Sequence, residues 1–340
     1  MTILEQHTER MQALFRKIWG PDAVARNLLL LTGGASKRTY SADVVRCGKV
    51  LPIILQLFQA RGEESGEHDV VPRLTPEQDA SIQTLMKSAG VAVPNVLYIL
   101  KPDDGIGLGY ITERISGESS GRRIIRDDRY SGTHATLARD CARTLAAIHT
   151  FDTEPNCDFL PYTPAGDLIA RFKHQVDQAG LVCPALEWAL EWLDQHIPSP
   201  VRTSVCHGDF RLGNFIIGRE GLRAVIDWEL ANLGDPAQDI GWLSVRSWRF
   251  GGARCCGGFV SLEEFIEAYV EAGGPPISLP DVMYWQAFGN VRWALHCLRR
   301  GVRYLDRGRA VSLEDTGIGR RFFEPIHDFI NLVEKHGYRQ

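Results

Sequence analysis

Nowhere in the 340 residues is there an apolar run near the roughly 20 residues that would span a bilayer. The first residues, Met1-Thr-Ile-Leu-Glu-Gln-His7, lack the basic, apolar and small-residue order of a signal peptide. No charge of one sign dominates: 38 Lys and Arg against 42 Asp and Glu leave −4, which advertises neither nucleic acid nor an anionic membrane as a partner. There is no Cys-x-x-Cys and no zinc-knuckle spacing. Cys47, Cys141, Cys157, Cys183, Cys206 and Cys297 are scattered and Cys255-Cys256 are adjacent, as expected of reduced thiols in a cytoplasmic chain. Internal repeats and low-complexity tracts are also missing. The 44% of hydrophobic residues excludes disordered and collagen-like classes. The length suits two domains, or one large domain with a subsidiary lobe, and needs no disulfide staples.

The segments that are present fall into two regions. Leu4 to Ile18 has a helical pattern ended by Gly20-Pro21, and strand-like runs follow at Asn27–Thr32, Thr39–Val45 and Val50–Gln59. Gly-containing breaks between them suggest an antiparallel meander. Pro76 to Ala89 reads as a helix with Thr75-Pro76 as its cap, and two further strands are expected at Asn95–Leu100 and Gly107–Arg114. From about Gly117 helical patterns dominate: Ala135–His149, Ala165–Gln178, Pro184–His196, Ser261–Ala272, Asp281–Gly301 and Arg320–His336, interrupted by one β episode between Ser204 and Trp228. The expectation is an α+β chain with a small β-rich lobe over residues 1–115 and a larger, mostly helical lobe over residues 116–340.

The chemistry concentrates in Val205-Cys-His-Gly-Asp209-Phe-Arg-Leu-Gly-Asn214, followed by Phe215-Ile-Ile217, a Gly218–Gly221 turn and Leu222-Arg-Ala-Val-Ile-Asp227-Trp-Glu229. A loop presents Asp209 and Asn214, and a hairpin returns the chain so that Asp227 ends the second strand. Two carboxylates and an amide then converge. Oxygen ligands of this kind suit Mg2+ together with substrate phosphates, and a group not bound to the metal could accept a proton from a hydroxyl. Those are the parts phosphoryl transfer needs. Asp and Asn in loops more often form turns and caps. The full run, with an apolar strand ending in Asp at hairpin distance, is much harder to obtain by accident.

These elements, with Gly234-Asp-Pro-Ala-Gln-Asp239-Ile-Gly-Trp242, resemble the aminoglycoside phosphotransferase-like kinases, or phosphotransferase enzyme family, in order over nearly the whole chain. Ser247-Trp-Arg-Phe-Gly251 and Phe288-Gly-Asn-Val-Arg-Trp293 resemble the branch associated with acyl-CoA dehydrogenases. The resemblance implies a two-lobed, protein-kinase-like fold with ATP between the lobes. It implies Asp209 as catalytic base, Asn214 and Asp227 as holders of Mg2+, and Asp239 and His207 as supports of the catalytic loop, with proton carriage by His207 a minor alternative. Gly33, Gly34 and Ser36 lie between two strands, where backbone N–H groups could cradle phosphates. Glu113 and Ile115 match the hinge that pairs with adenine through backbone atoms.

One departure stands out. The family carries a basic residue in the third strand, paired with an acid on the next helix. Here Val50-Leu-Pro-Ile-Ile-Leu-Gln56-Leu-Phe-Gln59 contains none, and Gln56 takes the aligned position, with Asp79 favoured over Glu77 as the acid. An amide gives no charge, and charge-assisted bonds are about twice as strong. Weakened nucleotide binding, a cation from a loop (Lys37, Arg38 or Arg61), and a nucleotide-binding pseudokinase or regulatory module all stay open.

The expected partner is a small molecule bearing a hydroxyl, such as a hydroxyacyl-CoA or hydroxy acid, met by Glu229, Trp285 and Arg292 in a monomer or homodimer. Arg292, Arg299 and Arg303 share one helical face, near Arg246, Arg249 and Arg300, and argue against a polycationic aminoglycoside. The commoner meaning of such a face is a solvated surface over core tryptophans.

Overall fold

The computed structural model describes residues 3–31, 37–58, 71–180, 182–302 and 313–335. The first lobe is built on one five-stranded antiparallel sheet. Helix α1 (Ile3–Trp19) precedes β1 (Val24–Leu31), β2 (Lys37–Arg46) and β3 (Lys49–Phe58). β2 and β3 pair without interruption from Lys37↔Phe58 to Arg46↔Lys49. Cys47 and Gly48, both at positive φ, make the two-residue turn whose twist matches the strands. One face of this sheet buries Tyr40, Ala42, Val44, Ile53, Leu55 and Ile111 against Met11, Leu14 and Phe15 of α1.

Helix α2 (Pro76–Ser88) starts where the sequence predicts. Thr75 and Gln78 form a reciprocal capping box and Pro76 occupies the first turn. After it come β4 (Val96–Ile99) and β5 (Gly109–Glu113). The strand order is β1-β2-β3-β5-β4, so the first three strands form the expected antiparallel meander and β5, not β4, pairs with β3. β5 buries four of its five residues and takes the interior position beside β3. β4 buries none of its side chains fully and is left at the edge.

In the second lobe α3 (Gly121–Arg126) and α4 (Asp128–Ser131) lead into α5 (His134–His149), α6 (Ala165–Ala179) and α7 (Pro184–Gln195). The β episode is two small antiparallel pairs. β6 (Ser204–Cys206) pairs with β9 (Asn232–Gly234), and β7 (Phe215–Gly218) pairs with β8 (Gly221–Val225). Helices α8 (Ala237–Ser244), α9 (Leu262–Glu271), α10 (Leu279–Val302), α11 (Leu313–Gly319) and α12 (Phe323–Lys335) complete the chain. α8, α11 and the short α3 and α4 are elements that periodicity had not marked.

Ile82 and Met86 of α2, with Val91 and Val93, belong to the same apolar cluster as Leu145, Phe172, Phe210 and Phe288 of the large lobe. The helix that faces the sheet therefore also anchors it to the second lobe. Among the described residues no helix is long and apolar enough to cross a membrane.

The site depends on the crossing of α8 and α10. Gly241 lets them touch: a Cβ there would fall within 2.7 Å of Trp285 Cβ, Trp285 C and Gln286 N, two of them backbone atoms. Overpacking of this kind costs about 1–3 kcal/mol, which outweighs the roughly 1 kcal/mol that alanine gains in a helix. Gly241→Ala is expected to lower the free energy of unfolding by denaturant by about 1–2 kcal/mol, and an unchanged midpoint would refute this account of the crossing.

Candidate active site

β6 delivers the chain to His207, and β7 and β8 hold the two ends of the functional segment. The loop between them is fixed from below by one carboxylate. Asp239, fully buried on α8, accepts from the backbone N–H groups of His207 (2.7 Å) and Gly208 (2.9 Å). Burial alone would push the Asp239 carboxyl up, but His149, 3.2 Å away, and the loop N–H groups hold it below its ordinary value. Gly208 has a φ of 76°, and a Cβ there would collide with the Leu230 carbonyl, so the turn requires glycine. His149, Cys206 and Asp239 cluster within 4.8 Å of one another. Each is spent on protein partners, since His149 Nδ1 meets the Tyr269 hydroxyl at 2.7 Å and the Cys206 thiol donates to backbone carbonyls.

His207 is likewise committed. Its Nδ1 accepts the Asp209 N–H (3.2 Å), which leaves Nε2 to donate to the Ile226 carbonyl (3.2 Å). Burial pushes its pKa down despite Asp239, Asp209 and Asp227 nearby. A neutral ring with both nitrogens on backbone is an organiser, and the proton-carrier alternative has no geometry to support it.

Asp209 is held at both oxygens. Oδ1 accepts from Trp242 Nε1 (2.7 Å) and Arg211 Nε (2.9 Å), and Oδ2 accepts from Asn214 Nδ2 (2.6 Å). A carboxylate offers about four acceptor sites, so one is left for a ligand hydroxyl. Asn214 also donates to the Asp209 carbonyl (3.0 Å), which spends its amide nitrogen and leaves its oxygen for a cation. Asp227 follows β8 at φ 68°, a left-handed conformation that aspartate tolerates better than most residues and that turns its carboxylate into the cleft.

Residues 50–59 carry no basic side chain, but β2 brings one to Asp79. Lys37 Nζ, 4% exposed, lies 2.8 Å from Asp79 Oδ2, 2.9 Å from Asp227 Oδ1 and 3.4 Å from Glu229 Oε2. It also sits 4.7 Å from the centre of the Phe58 ring. Burial would lower the Lys37 pKa, but Asp227 and Asp79 outweigh it and hold the ammonium charged. The same ammonium offsets the burial of Asp227 and keeps that carboxyl below its ordinary value. Glu229, which also accepts from Arg73 at 2.6 Å, is pushed up by burial. Lys37 had been only one of three loop candidates for the cation; it is the first residue of a strand. Arg38 is exposed and lies on the opposite face of β2 from Lys37, and Arg61 lies outside the described residues. Gln56 is on the same sheet face as Lys37, and its buried Oε1 has no partner among the described residues.

Of the other nucleotide-side residues, Gly33, Gly34 and Ser36 lie outside the described residues. Glu113 ends β5 and Ile115 follows at the junction of the lobes.

The acceptor-side expectations need correction. Glu229 is buried between Lys37 and Arg73, and Trp285 is 3% exposed with its N–H on Asp235 (2.7 Å). Neither presents a surface to an acceptor: both carry groups that sequence alone cannot show to be paired. Arg292 does not lie on a solvated face. It donates to the Gly208 carbonyl (2.8 Å) and stacks over Trp242 at 4.3 Å, while Arg211 stacks over Trp248 at 4.4 Å. Arg303 lies outside the described residues. The residues that sequence reasoning missed are Trp242, Arg211 and Arg73. The first two stand within the quoted motifs, but no spacing rule marks them as partners of Asp209 and of the tryptophans.

A profile of the phosphotransferase enzyme family matches residues 28–285. The chain belongs to the phosphotransferase enzyme family. It is 27% identical over 327 residues to acyl-CoA dehydrogenase family member 11 of Pongo abelii, covering 86% of this chain and 40% of that protein. It is 30% identical over 179 residues to family member 10 of Mus musculus, covering 49% and 16% respectively. The chain thus spans less than half the length of these curated relatives. A candidate aminoglycoside phosphotransferase of Ralstonia eutropha shares the fold at a TM-score of 0.74 and 23% identity, over 96% of this chain and 98% of that one. The phosphotransferase APH(4)-Ia, solved with AMP-PNP and hygromycin B, aligns at 0.60 and 18%, over 93% and 97%. The protein-kinase-like fold of this phosphotransferase family member agrees with the expected one.

Four arginines, Arg73, Arg292, Arg299 and Arg300, gather about His296. Burial first, and then their charge, push the His296 pKa down to about 4. An unfolded histidine titrates near 6.5, so below that pH the unfolded state takes up a proton that the folded state refuses. Stability is therefore lost as pH falls from about 6.5 to about 4, by up to about 3 kcal/mol from this group. His296→Gln is expected to flatten that part of the unfolding free energy against pH, and equal slopes in both proteins would remove the argument.

Proposed function

We propose that the chain transfers the γ-phosphate of ATP to a hydroxyl of a small anionic molecule, with a hydroxyacyl-CoA or hydroxy acid as the acceptor class. The observation that carries the reading is Asp209, fixed by Trp242, Arg211 and Asn214 with one acceptor site to spare, facing the side of Asn214 and Asp227 that offers oxygen to a cation. The oxygen donors of Asn214 and Asp227 fit Mg2+, and they would hold it where it would supply positive charge to the phosphates.

Asp209 orients the acceptor hydroxyl for in-line attack and takes its proton as the bond to phosphorus forms. The three donors on its carboxylate hold it in place without reorganisation at the moment of reaction. Asp239 holds the backbone that positions Asp209. Arg211 and Arg292, partly buried beside Asp209, favour an acceptor of negative charge over a polycation. Two relatives carry acyl-CoA dehydrogenase in their names, which supports an acyl-CoA acceptor. A cytoplasmic monomer or homodimer fits this reading. The pseudokinase alternative arises from the lack of a basic residue over residues 50–59, and Lys37 beside Asp79 weighs against it.

ATP consumption across a panel of hydroxyacyl-CoAs, hydroxy acids, amino alcohols and aminoglycosides should single out an anionic acceptor. Asp209→Ala should lower turnover by about 10^2- to 10^4-fold while ATP binding persists, and Asp227→Ala should lose metal-dependent binding. Full turnover in the Asp209→Ala protein would sink the assignment.

A further inference from the structure

Lys37 and Gln56 occupy neighbouring strands on one face of the sheet, in the registers Lys37↔Phe58 and Thr39↔Gln56. Residues so placed are diagonal neighbours about 7–8 Å apart at Cα, within the span of a lysine side chain. A lysine from either position can therefore bring its ammonium to the same place, in front of Asp79. We propose that Lys37, from β2, is the cation that holds the nucleotide phosphates, and that Gln56 marks the position on β3 from which that cation has been relocated. The inference rests on the kinase reading above.

The electrostatics support it. Lys37 Nζ has three donors and three carboxylate neighbours, two of them in short contact and Glu229 at 3.4 Å. Among the described residues, two cations, Lys37 and Arg73, face three carboxylates, Asp79, Asp227 and Glu229. Asn214 and Asp227 would hold a metal ion, which would supply positive charge beside these carboxylates. Asp79, fully buried on α2 and also accepting from Gln83 at 2.9 Å, holds the ammonium from the α2 side. Among the described residues the buried Oε1 of Gln56 has no partner, so nothing described there satisfies the amide. Arg38, the adjacent base, faces away and cannot substitute.

Mg-ATP binding to wild-type, Lys37→Gln and Lys37→Gln/Gln56→Lys proteins, each checked for folding by circular dichroism, tests the relocation. Lys37→Gln should weaken binding about tenfold or more, and the double variant should recover most of the loss. Wild-type affinity in folded Lys37→Gln, or a folded double variant as weak as the single, would overturn it. Removing a buried ammonium from three carboxylates could unfold the single variant, so the wild-type protein supplies a second measurement. An acyl-phosphate derivative of ATP should acylate Lys37, identified by mass spectrometry, and ATP should compete. ATP-competable labelling of another lysine in its place would refute the assignment. A wild-type protein that binds no Mg-ATP overturns the kinase reading itself, a result distinct from binding that survives loss of Lys37.

Discussion

The buried ammonium of Lys37 is the contact on which the arrangement of the two lobes turns. It leaves the first residue of β2, meets Asp79 on α2 and reaches Asp227 and Glu229 beyond β8. Lys37 and Asp227 are 190 residues apart in the chain, and with Asp79 they are fixed around one charge. Such a contact contributes less net stability than its short distances suggest, because each ion has been taken out of water. Its consequence is geometric. With the ammonium in place, the left-handed Asp227 and the helix that carries Asp79 have one low-energy relation. Without it, three carboxylates would face one another at low dielectric.

A second buried carboxylate does for the catalytic loop what Lys37 does for the lobes. Asp239 takes up two consecutive backbone N–H groups, and the same α8 carries Trp242, whose indole N–H holds Asp209. α8 in turn lies against α10 through Gly241, and α10 returns Arg292 to the Gly208 carbonyl. The loop is thus gripped at both sides of Gly208 by elements of the hydrophobic core. Rigid placement of this kind gives an electrostatic site its effect, since the donors need not move when charge develops.

Most of the catalytic loop was legible because its chemistry is local. Asp209 and Asn214 are five residues apart, and the hairpin that returns Asp227 is signalled by apolar strands and a glycine turn. Helix boundaries were likewise within a few residues where caps and breakers are strong, as at Thr75-Pro76. Tertiary choices were not. That β5 displaces β4 from the interior depends on which strand can be buried on both faces. That Lys37 meets Asp79 depends on the register of β2 against β3 and on the seating of α2. The acceptor side was opaque for the same reason: Glu229 and Trp285 look available in sequence, and only the packed chain reveals their partners.

The two sides of Asp209 differ in charge, and that difference decides more than any single residue. Toward β8 the described ionised side chains are mainly carboxylates, Asp227, Glu229 and Asp79 gathered about Lys37, with Arg73 on Glu229. Toward α10 the order reverses. Arg211 and Arg292 sit over tryptophan rings beside Asp209, and Arg299 and Arg300 follow along the helix close enough to depress His296. A site polarised in this sense attracts a cation to one side of the catalytic carboxylate and an anion to the other. A polycationic acceptor would have to enter against the arginines and would be drawn toward the carboxylates that a metal needs. Under the proposed function, an acceptor carrying its own phosphate or carboxylate meets neither obstacle, and its negative charge would keep it on the side from which Asp209 would reach its hydroxyl.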